Sequence, residues 1–552
     1  MLPDLQVPRL MLIMNATSIG VAPEGHVFAP FPMHSLITAL IAVLIIHRIL
    51  LIIQRIYFHP LSSFPGPKLA AATSLYETWH ALFSCSPLSW PEHQRFVLHP
   101  KYGPVVRIRP NALHISDPDA FRDVHKVGSK FTKAKYFYVP FRLSNALFGS
   151  TDPDFHRKRR SLIAPMFAKG EVIKLYEGLV KGKREMMVGN IRSFLERGSS
   201  VVNMKNALAG LVVDVAAEAI CQTSYGYVCL IWVVQKPAYA YRAPALLKTD
   251  TLEAHPLTIS VDMLAQSWTI VKYFPPVVPI LEVVPQSIMT KLIPAATGQA
   301  IIRNTTAVEV FRIMNEQKRP AEKSRSKESS IIARLLDSLD SNTVIAEGYT
   351  ILGAALHTTL WSLTRTAYFL GAYPAVQNKL FSELKAAFPD KGSDITNASL
   401  EALPYFSALM KESLRLAHAI PGAMPRDTPA QGAVLCGYDI PGGTVVETDN
   451  YHVHHNEKIF PDPERFEPER WLPGGSSRGM EKYLVPFGMG NMMCVGYTLA
   501  NLNLNHAVAG VVRNFKLDLT EPLRNQGFPF VMNWVSVYRG PSLDFVVDER
   551  DS

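Results

Sequence analysis

The chain has 552 residues, 48% of them hydrophobic and 19% charged, with 32 glycines and 41 prolines, which supports a folded protein with one sizeable core and excludes a collagen-like or largely disordered polymer. Lys and Arg outnumber Asp and Glu by 56 to 47, a basic balance that suits an acidic protein partner, a lipid headgroup layer or nucleic acid and by itself does not choose among them. Five cysteines without a CxxC pair (Cys85, Cys221, Cys229, Cys436, Cys494) give no sign of a disulfide framework or a zinc cluster.

Along the chain, the first strong signal is the run Leu36 to Ile53, almost wholly apolar with His47 and Arg48 its only strongly polar members, and close to the roughly 20 residues a bilayer-crossing helix needs. A transmembrane anchor is expected over residues 35–56, behind a tail at 1–34. A long preceding tail and the lack of a small-residue cleavage site favour a retained anchor over a cleaved signal peptide. Arg48, Arg55 and Lys68 at or beyond its C-terminal end, against Arg9 before it, place the large domain in the cytosol and the tail in the lumen. Asn15-Ala16-Thr17 is then a glycosylation tripeptide on the lumenal side. Phe64-Pro65-Gly66-Pro67 marks a stiff, proline-rich hinge over 57–70.

Residues 71–552 read as one large domain, mainly α with small β-sheets. Helical periodicity covers Val172–Leu195, Val344–Leu370 and Leu400–Leu416, and short β-branched strands are expected at Val105–Ile108 and Thr444–Thr448. No solenoid repeat and no dinucleotide-type GxGxxG is present. Lys318–Ser330 is charged enough for a solvated surface connection, whereas Gly226–Asp250 is apolar and aromatic without periodicity and reads as an atypical insertion. His156-Arg157-Lys158-Arg159-Arg160 is a dense basic cluster; it lacks the interleaved aromatics of a base-stacking platform, so no nucleic-acid partner is expected.

Near the C-terminus, Pro486-Phe487-Gly488-Met489-Gly490-Asn491-Met492-Met493-Cys494-Val495-Gly496 precedes an apolar segment, Tyr497 to Val512, and reads as loop, thiol, helix. Gly488 and Gly490 can adopt positive φ, Gly496 leaves room for a flat cofactor, and unpaired N–H groups at a helix start favour a thiolate. The run resembles the heme-binding loop of the cytochrome P450 family at Phe487, Gly490, Cys494 and Gly496, with Met492 at the family's arginine position. Glu412-Ser413-Leu414-Arg415 resembles its Glu-x-x-Arg signature, and Phe466 to Trp471 its Pro-Glu-Arg-Trp signature. The likeness extends upstream to Tyr57–Lys68 and Lys101–Arg107, as in fungal microsomal members, and spans roughly residues 57 to 545 apart from Gly226–Asp250.

The resemblance implies the cytochrome P450 fold and a heme b cofactor with Cys494 as axial iron ligand. It implies His156, Arg160 and Arg426 as heme propionate contacts, leaving Arg157, Lys158 and Arg159 as solvated surface or donor docking. Glu412, Arg415 and Arg470 are expected to close a structural ion network. On the helix over the heme, Ala354-Ala355-Leu356-His357-Thr358-Thr359 aligns with the family's oxygen-handling motif. Thr358 takes the alcohol role; His357 stands where the family has an acid, and is either a proton relay in its place or a packed core residue. The implied activity is monooxygenation of an apolar small molecule in fungal specialised metabolism, such as a terpenoid or polyketide. O2 and electrons would come from an NADPH-cytochrome P450 reductase, at the endoplasmic reticulum membrane. The altered Ala355, His357 and Met492 positions leave open a non-oxidative isomerase or dehydratase, or an inactive member.

Overall fold

The computed structural model describes residues 33–83, 88–221, 229–231, 240–242, 294–317, 330–474 and 479–550, with isolated positions between 262 and 288. The chain divides into two units, Met1–Gln54 and Arg55–Ser552. In the first, the described residues form the helix Met33–Ile53. Leu36, Leu40, Val43, Leu44 and Leu50 are each more than half exposed, so this helix has no apolar face buried in a protein core. The stretch Leu36–Phe58 is long and apolar enough to cross a bilayer. Asn15 and the rest of the expected tail up to residue 32 lie outside the described residues.

The second unit is organised by one long helix, Ser341–Ala372, capped by the Asp340 side chain, which accepts from Thr343 N–H at 3.1 Å. Its mixed apolar composition has no single polar face because it is surrounded: Met204–Cys221, Pro294–Gln317, Pro404–Ala417 and Tyr497–Asn514 all pack against it. Leu352 and Leu356 from this helix share a core with Leu208, Val212 and Leu502. Lys169–Glu196 and Ser341–Ala372 coincide closely with the helices read from periodicity over Val172–Leu195 and Val344–Leu370, and Tyr497–Asn514 with the helix expected after the cysteine loop.

Among the described residues two sheets of three or more strands accompany the helices, besides three two-stranded ribbons. The larger runs in the order Val105–Arg109, Ala112–Ile115, Val445–Glu447, Arg426–Asp427, Thr132–Lys133, all antiparallel except the pairing of Val445–Glu447 with Ala112–Ile115. The other joins Phe515–Leu519, Asp544–Glu549 and Val201–Asn203. The proline-rich segment after residue 56 is fastened to the first sheet: Arg107 N–H donates to the Pro65 carbonyl at 2.7 Å, its Nη2 to the Arg55 carbonyl at 2.9 Å, and Leu61 is fully buried.

Two expectations need correction. Leu400–Leu416 is not one helix but two, Asn397–Glu401 and Pro404–Ala417, because Leu403 precedes a proline and is held extended (φ −77°, ψ 119°) before Pro404 opens the next helix. Ser330 is not solvated; it is buried and caps Ile331–Leu336 by accepting from Ala333 N–H at 3.2 Å. Residues 318–329 lie outside the described residues, as does most of Gly226–Asp250, where Cys229–Ile231 and Ala240–Arg242 pair antiparallel.

Candidate active site

A cavity of about 370 Å³ lies between the Ser341–Ala372 helix and the loop carrying Cys494, within the range of small-molecule and cofactor sites. Cys494 is exposed, and what it is exposed to is this cavity. Its backbone N–H donates to the Phe487 carbonyl at 2.8 Å, which folds the loop back on itself and directs the residue inward. Gly488 and Gly490 take φ of +70° and +66°. A Cβ on Gly490 would meet the His125 carbonyl oxygen at 2.0 Å, so the loop passes closer to the 125–126 backbone than any other residue allows. At Gly496, the nearest atom to a built Cβ is Phe167 Cε1 at 4.0 Å, leaving that backbone accessible. Burial raises the Cys494 thiol above its ordinary pKa, while a hydrogen bond with the Gly496 backbone and the charge of Arg160 pull it down.

The cavity wall beside the cysteine is cationic. His156 and Arg160, one turn apart on Pro153–Ile163, line it together with Arg426 and Lys133. His156 is pushed down to about 4, first by burial and then by Lys133, Arg160 and Arg426. Lys133 is pushed down to about 7 by burial and Arg426, with Glu347 opposing and Arg160 adding. Its Nζ donates to the Leu147 and Phe148 carbonyls at 2.8 and 2.7 Å. Arg426 Nη1 donates to the Tyr138 hydroxyl at 2.9 Å. Beyond burial, Arg160 and Arg426 both depress the protonation of His156 and Lys133, as cations do in a wall short of negative charge. Sequence reading missed Lys133, which sits on a two-residue strand with no local motif.

Arg159 departs from its expected surface role. It is buried and its Nη1 reaches Glu347 Oε1 at 2.7 Å, an ion pair whose acid sits on the long helix. Arg157 and Lys158 are exposed, Arg157 pairing with Asp154 at 2.9 Å.

Opposite the cysteine loop, Ala354, Ala355, His357 and Thr358 line the same cavity. Thr358 Oγ1 donates to the Ala354 carbonyl at 2.9 Å, and Ser362 and Thr366 repeat the pattern at 2.8 Å each. His357 is buried, stacks on Trp361 at 6.3 Å and is pushed down to about 4, chiefly by burial, so its ring is neutral at pH 7. Its Nδ1 has no hydrogen-bond partner among the described residues. Most of the remaining lining is apolar, including Leu143, Phe148, Ile220, Ile420 and Trp534.

Behind the loop, Glu412 is fully buried and gathers Arg415 Nε and Nη2 at 2.9 and 2.8 Å, Arg470 Nε at 2.9 Å, Trp471 Nε1 at 2.9 Å and Glu467 N–H at 3.0 Å. The three charged residues expected to meet are therefore in one network. The carboxyl is held below its usual range by both arginines despite burial.

These residues fit a heme. A thiol open to the cavity offers a soft ligand for iron, the cationic wall offers partners for carboxylates that would otherwise be buried unpaired, and Gly496 admits a flat ring. Comparison with known proteins points the same way. The family model described as Cytochrome P450 matches residues 76–533. The chain is 31% identical to cytochrome P450 monooxygenase tpcC of Cochliobolus heterostrophus, across 84% of this chain and 85% of that one. It is 29% identical to cytochrome P450 monooxygenase BOT1 of Botryotinia fuckeliana, across 82% and 85% of the two chains, and 28% identical to cytochrome P450 monooxygenase orf3 of Eupenicillium brefeldianum, across 87% and 91%.

Proposed function

Because the chain belongs to the cytochrome P450 family, we propose that it is a membrane-anchored monooxygenase that places one atom of O2 in an apolar small molecule of fungal specialised metabolism, with a terpenoid or polyketide skeleton. The observation that carries this reading is that the Cys494 thiol and Thr358 line one largely apolar cavity with a cationic flank. Heme b, when bound, supplies the activation of O2 and the transfer of one oxygen atom, the second leaving as water after two electrons and two protons arrive.

The chain's own residues have separate tasks in that reaction. Cys494 would hold the iron, its loop fixed by Gly490 and by the Phe487 carbonyl; Arg160 and Arg426 as cations and His156 as a neutral N–H donor would hold the propionates, and Lys133 adds a further donor where Met492 gives none. Thr358 holds its proton on the Ala354 carbonyl, leaving hydroxyl lone pairs to take a hydrogen bond from the cavity. His357, neutral at pH 7 with an unpartnered Nδ1, accepts a proton at one nitrogen and releases one from the other. Leu143, Phe148, Ile220 and Trp534 exclude water and select apolar substrates.

Exposed Arg157 and Lys158 draw an acidic donor, an NADPH-cytochrome P450 reductase. The helix Met33–Ile53 crosses the endoplasmic reticulum membrane once, with the catalytic domain in the cytosol. The test is a carbon monoxide difference spectrum of reduced full-length protein in microsomes beside Cys494→Ala, followed by turnover with NADPH, reductase and isotopically labelled O2. A strongly red-shifted Soret band lost in the variant, and one labelled oxygen in the product, is the expected result. Well-expressed protein without heme, or product without label, overturns the proposal.

A further inference from the structure

Three histidines from distant parts of the chain gather beside Asp449, whose carboxylate takes hydrogen bonds from two of them, His114 and His452. His99 opens the helix His99–Tyr102, His114 lies on the strand Ala112–Ile115, and His452 lies on the helix Asn450–His454 behind its cap, Asp449. His114, His452 and Asp449 are buried. One ring nitrogen from each histidine lies within 4.8 Å of the others.

The hydrogen bonds fix which nitrogens are free. His99 Nδ1 lies 2.8 Å from the Gly103 carbonyl, which can only accept, so this nitrogen carries the proton and Nε2 carries a lone pair. His114 Nε2 lies 2.8 Å from Asp449 Oδ2 and donates to it, leaving a lone pair on Nδ1. His452 Nδ1 donates to Asp449 Oδ1 at 2.9 Å, and its Nε2 is buried with no partner among the described residues. With those tautomers His99 Nε2 and His114 Nδ1 face each other lone pair to lone pair at 2.7 Å, a contact that needs a positive species between them and that would open to roughly 3.3 Å on a tetrahedral ion with bonds of 2.0–2.1 Å. A shared proton would serve these two and leave His452 Nε2 orphaned. A metal ion serves all three.

The geometry points to a tris-imidazole site for a zinc-class divalent cation at His99, His114 and His452. Imidazoles bound to tetrahedral zinc at about 2.0–2.1 Å have ring centres roughly 5 Å apart. Here the three separations are 5.0, 5.3 and 4.6 Å. Each ligating ring is also oriented as metal-bound histidines are, its other N–H donated to a carbonyl or carboxylate. All-nitrogen donors select zinc or a neighbouring late first-row ion over magnesium or calcium. The ion clamps the first sheet between two helices, one of which ends in His454, whose Nε2 accepts from Val485 N–H at 3.0 Å ahead of the cysteine loop.

The test is metal analysis of full-length protein, washed with a chelating resin and equilibrated with buffered zinc, for wild type, His452→Leu, His99→Gln and Asp449→Asn. Wild type should hold one zinc per chain through gel filtration and gain thermal stability from it. His452→Leu and His99→Gln should lose both, and the half-buried His99 keeps the test decisive should His452→Leu fail to fold. Asp449→Asn keeps the helix cap but loses the carboxylate, and should bind about 10–100-fold more weakly. Wild type that takes up no zinc, or ligand variants that retain it at wild-type affinity, would overturn the site.

Discussion

Arg415 Nη1 donates to the His454 carbonyl at 2.9 Å, and His454 Nε2 in turn accepts from Val485 N–H at 3.0 Å. Through this histidine the buried Glu412 network is mechanically joined to the loop that ends in Cys494. Arg415 makes five hydrogen bonds from its planar fork. Lysine has three donors and no fork, so Arg415→Lys should leave Glu412 or two carbonyls unmet, at about 1–3 kcal/mol for each group stranded. Calorimetry should show a lower melting temperature together with reduced heme retention. Loss of stability with heme retention intact would break the link between network and loop.

The two loop glycines separate strain from collision. Both have positive φ, but a Cβ at Gly488 meets nothing within 4 Å, whereas at Gly490 it meets the His125 carbonyl oxygen at 2.0 Å. Gly488→Ala should cost only the left-handed backbone penalty, about 1–2 kcal/mol, and keep heme. Gly490→Ala must displace the loop and should yield protein with little or no thiolate-bound heme. Equal carbon monoxide spectra for the two variants would refute the collision argument.

What was legible in the sequence was local. The Cys494 loop carries its conformation in glycines within a few residues, and the Val172–Leu195 and Val344–Leu370 helices announce themselves by periodicity. Pro404 was as plain as those signals, yet an apolar run across it read as one helix because periodicity outweighed the proline's effect on Leu403. Arg159 looked like surface because its neighbours are all basic and its acid, Glu347, is 188 residues away. Lys133 and the His99, His114 and His452 group were illegible for the same reason: their meaning lies in partners supplied by sheet topology, and a lone histidine or lysine carries no sign of it. Apolar lining such as Trp534 is equally silent, since its residues come from several separate segments.

Buried histidines set the acid limit of stability. His93 and His357 are pushed down to about 4 and His506 to about 3, in each case first by burial. Their unfolded value is near 6.5, so below that pH the unfolded chain binds protons that the folded chain refuses, and stability falls as pH drops from about 6.5 toward 4. Each such group contributes up to about 1.4 kcal/mol per pH unit in that window. His506 Nδ1 faces Arg184 Nη1 at 3.2 Å and must accept, a role glutamine's carbonyl can take without titrating. Denaturant midpoints followed by far-UV circular dichroism should shift down between pH 7 and 5, less steeply in His506→Gln. A slope unchanged by that variant would exclude His506 from the effect.

Glu347 holds two groups at once. Its Oε1 accepts from Arg159 at 2.7 Å and from Leu147 N–H at 2.8 Å, while Lys133 Nζ holds the Leu147 carbonyl from the other side at 2.8 Å. The Leu147 and Phe148 wall of the cavity is thus clamped between a buried acid and a buried base. Arg159→Met strands the acid, and removing one partner of a buried pair costs about 3–5 kcal/mol. Gln at position 347 still accepts from Leu147 but carries no charge, so Arg159→Met with Glu347→Gln should recover most of that loss. If the clamp shapes the cavity, the double variant regains stability and also the wild-type affinity for an apolar ligand, measured by perturbation of the Soret band. If the double variant is as unstable as Arg159→Met alone, the loss comes from packing of the arginine stem and the stranded-charge explanation fails.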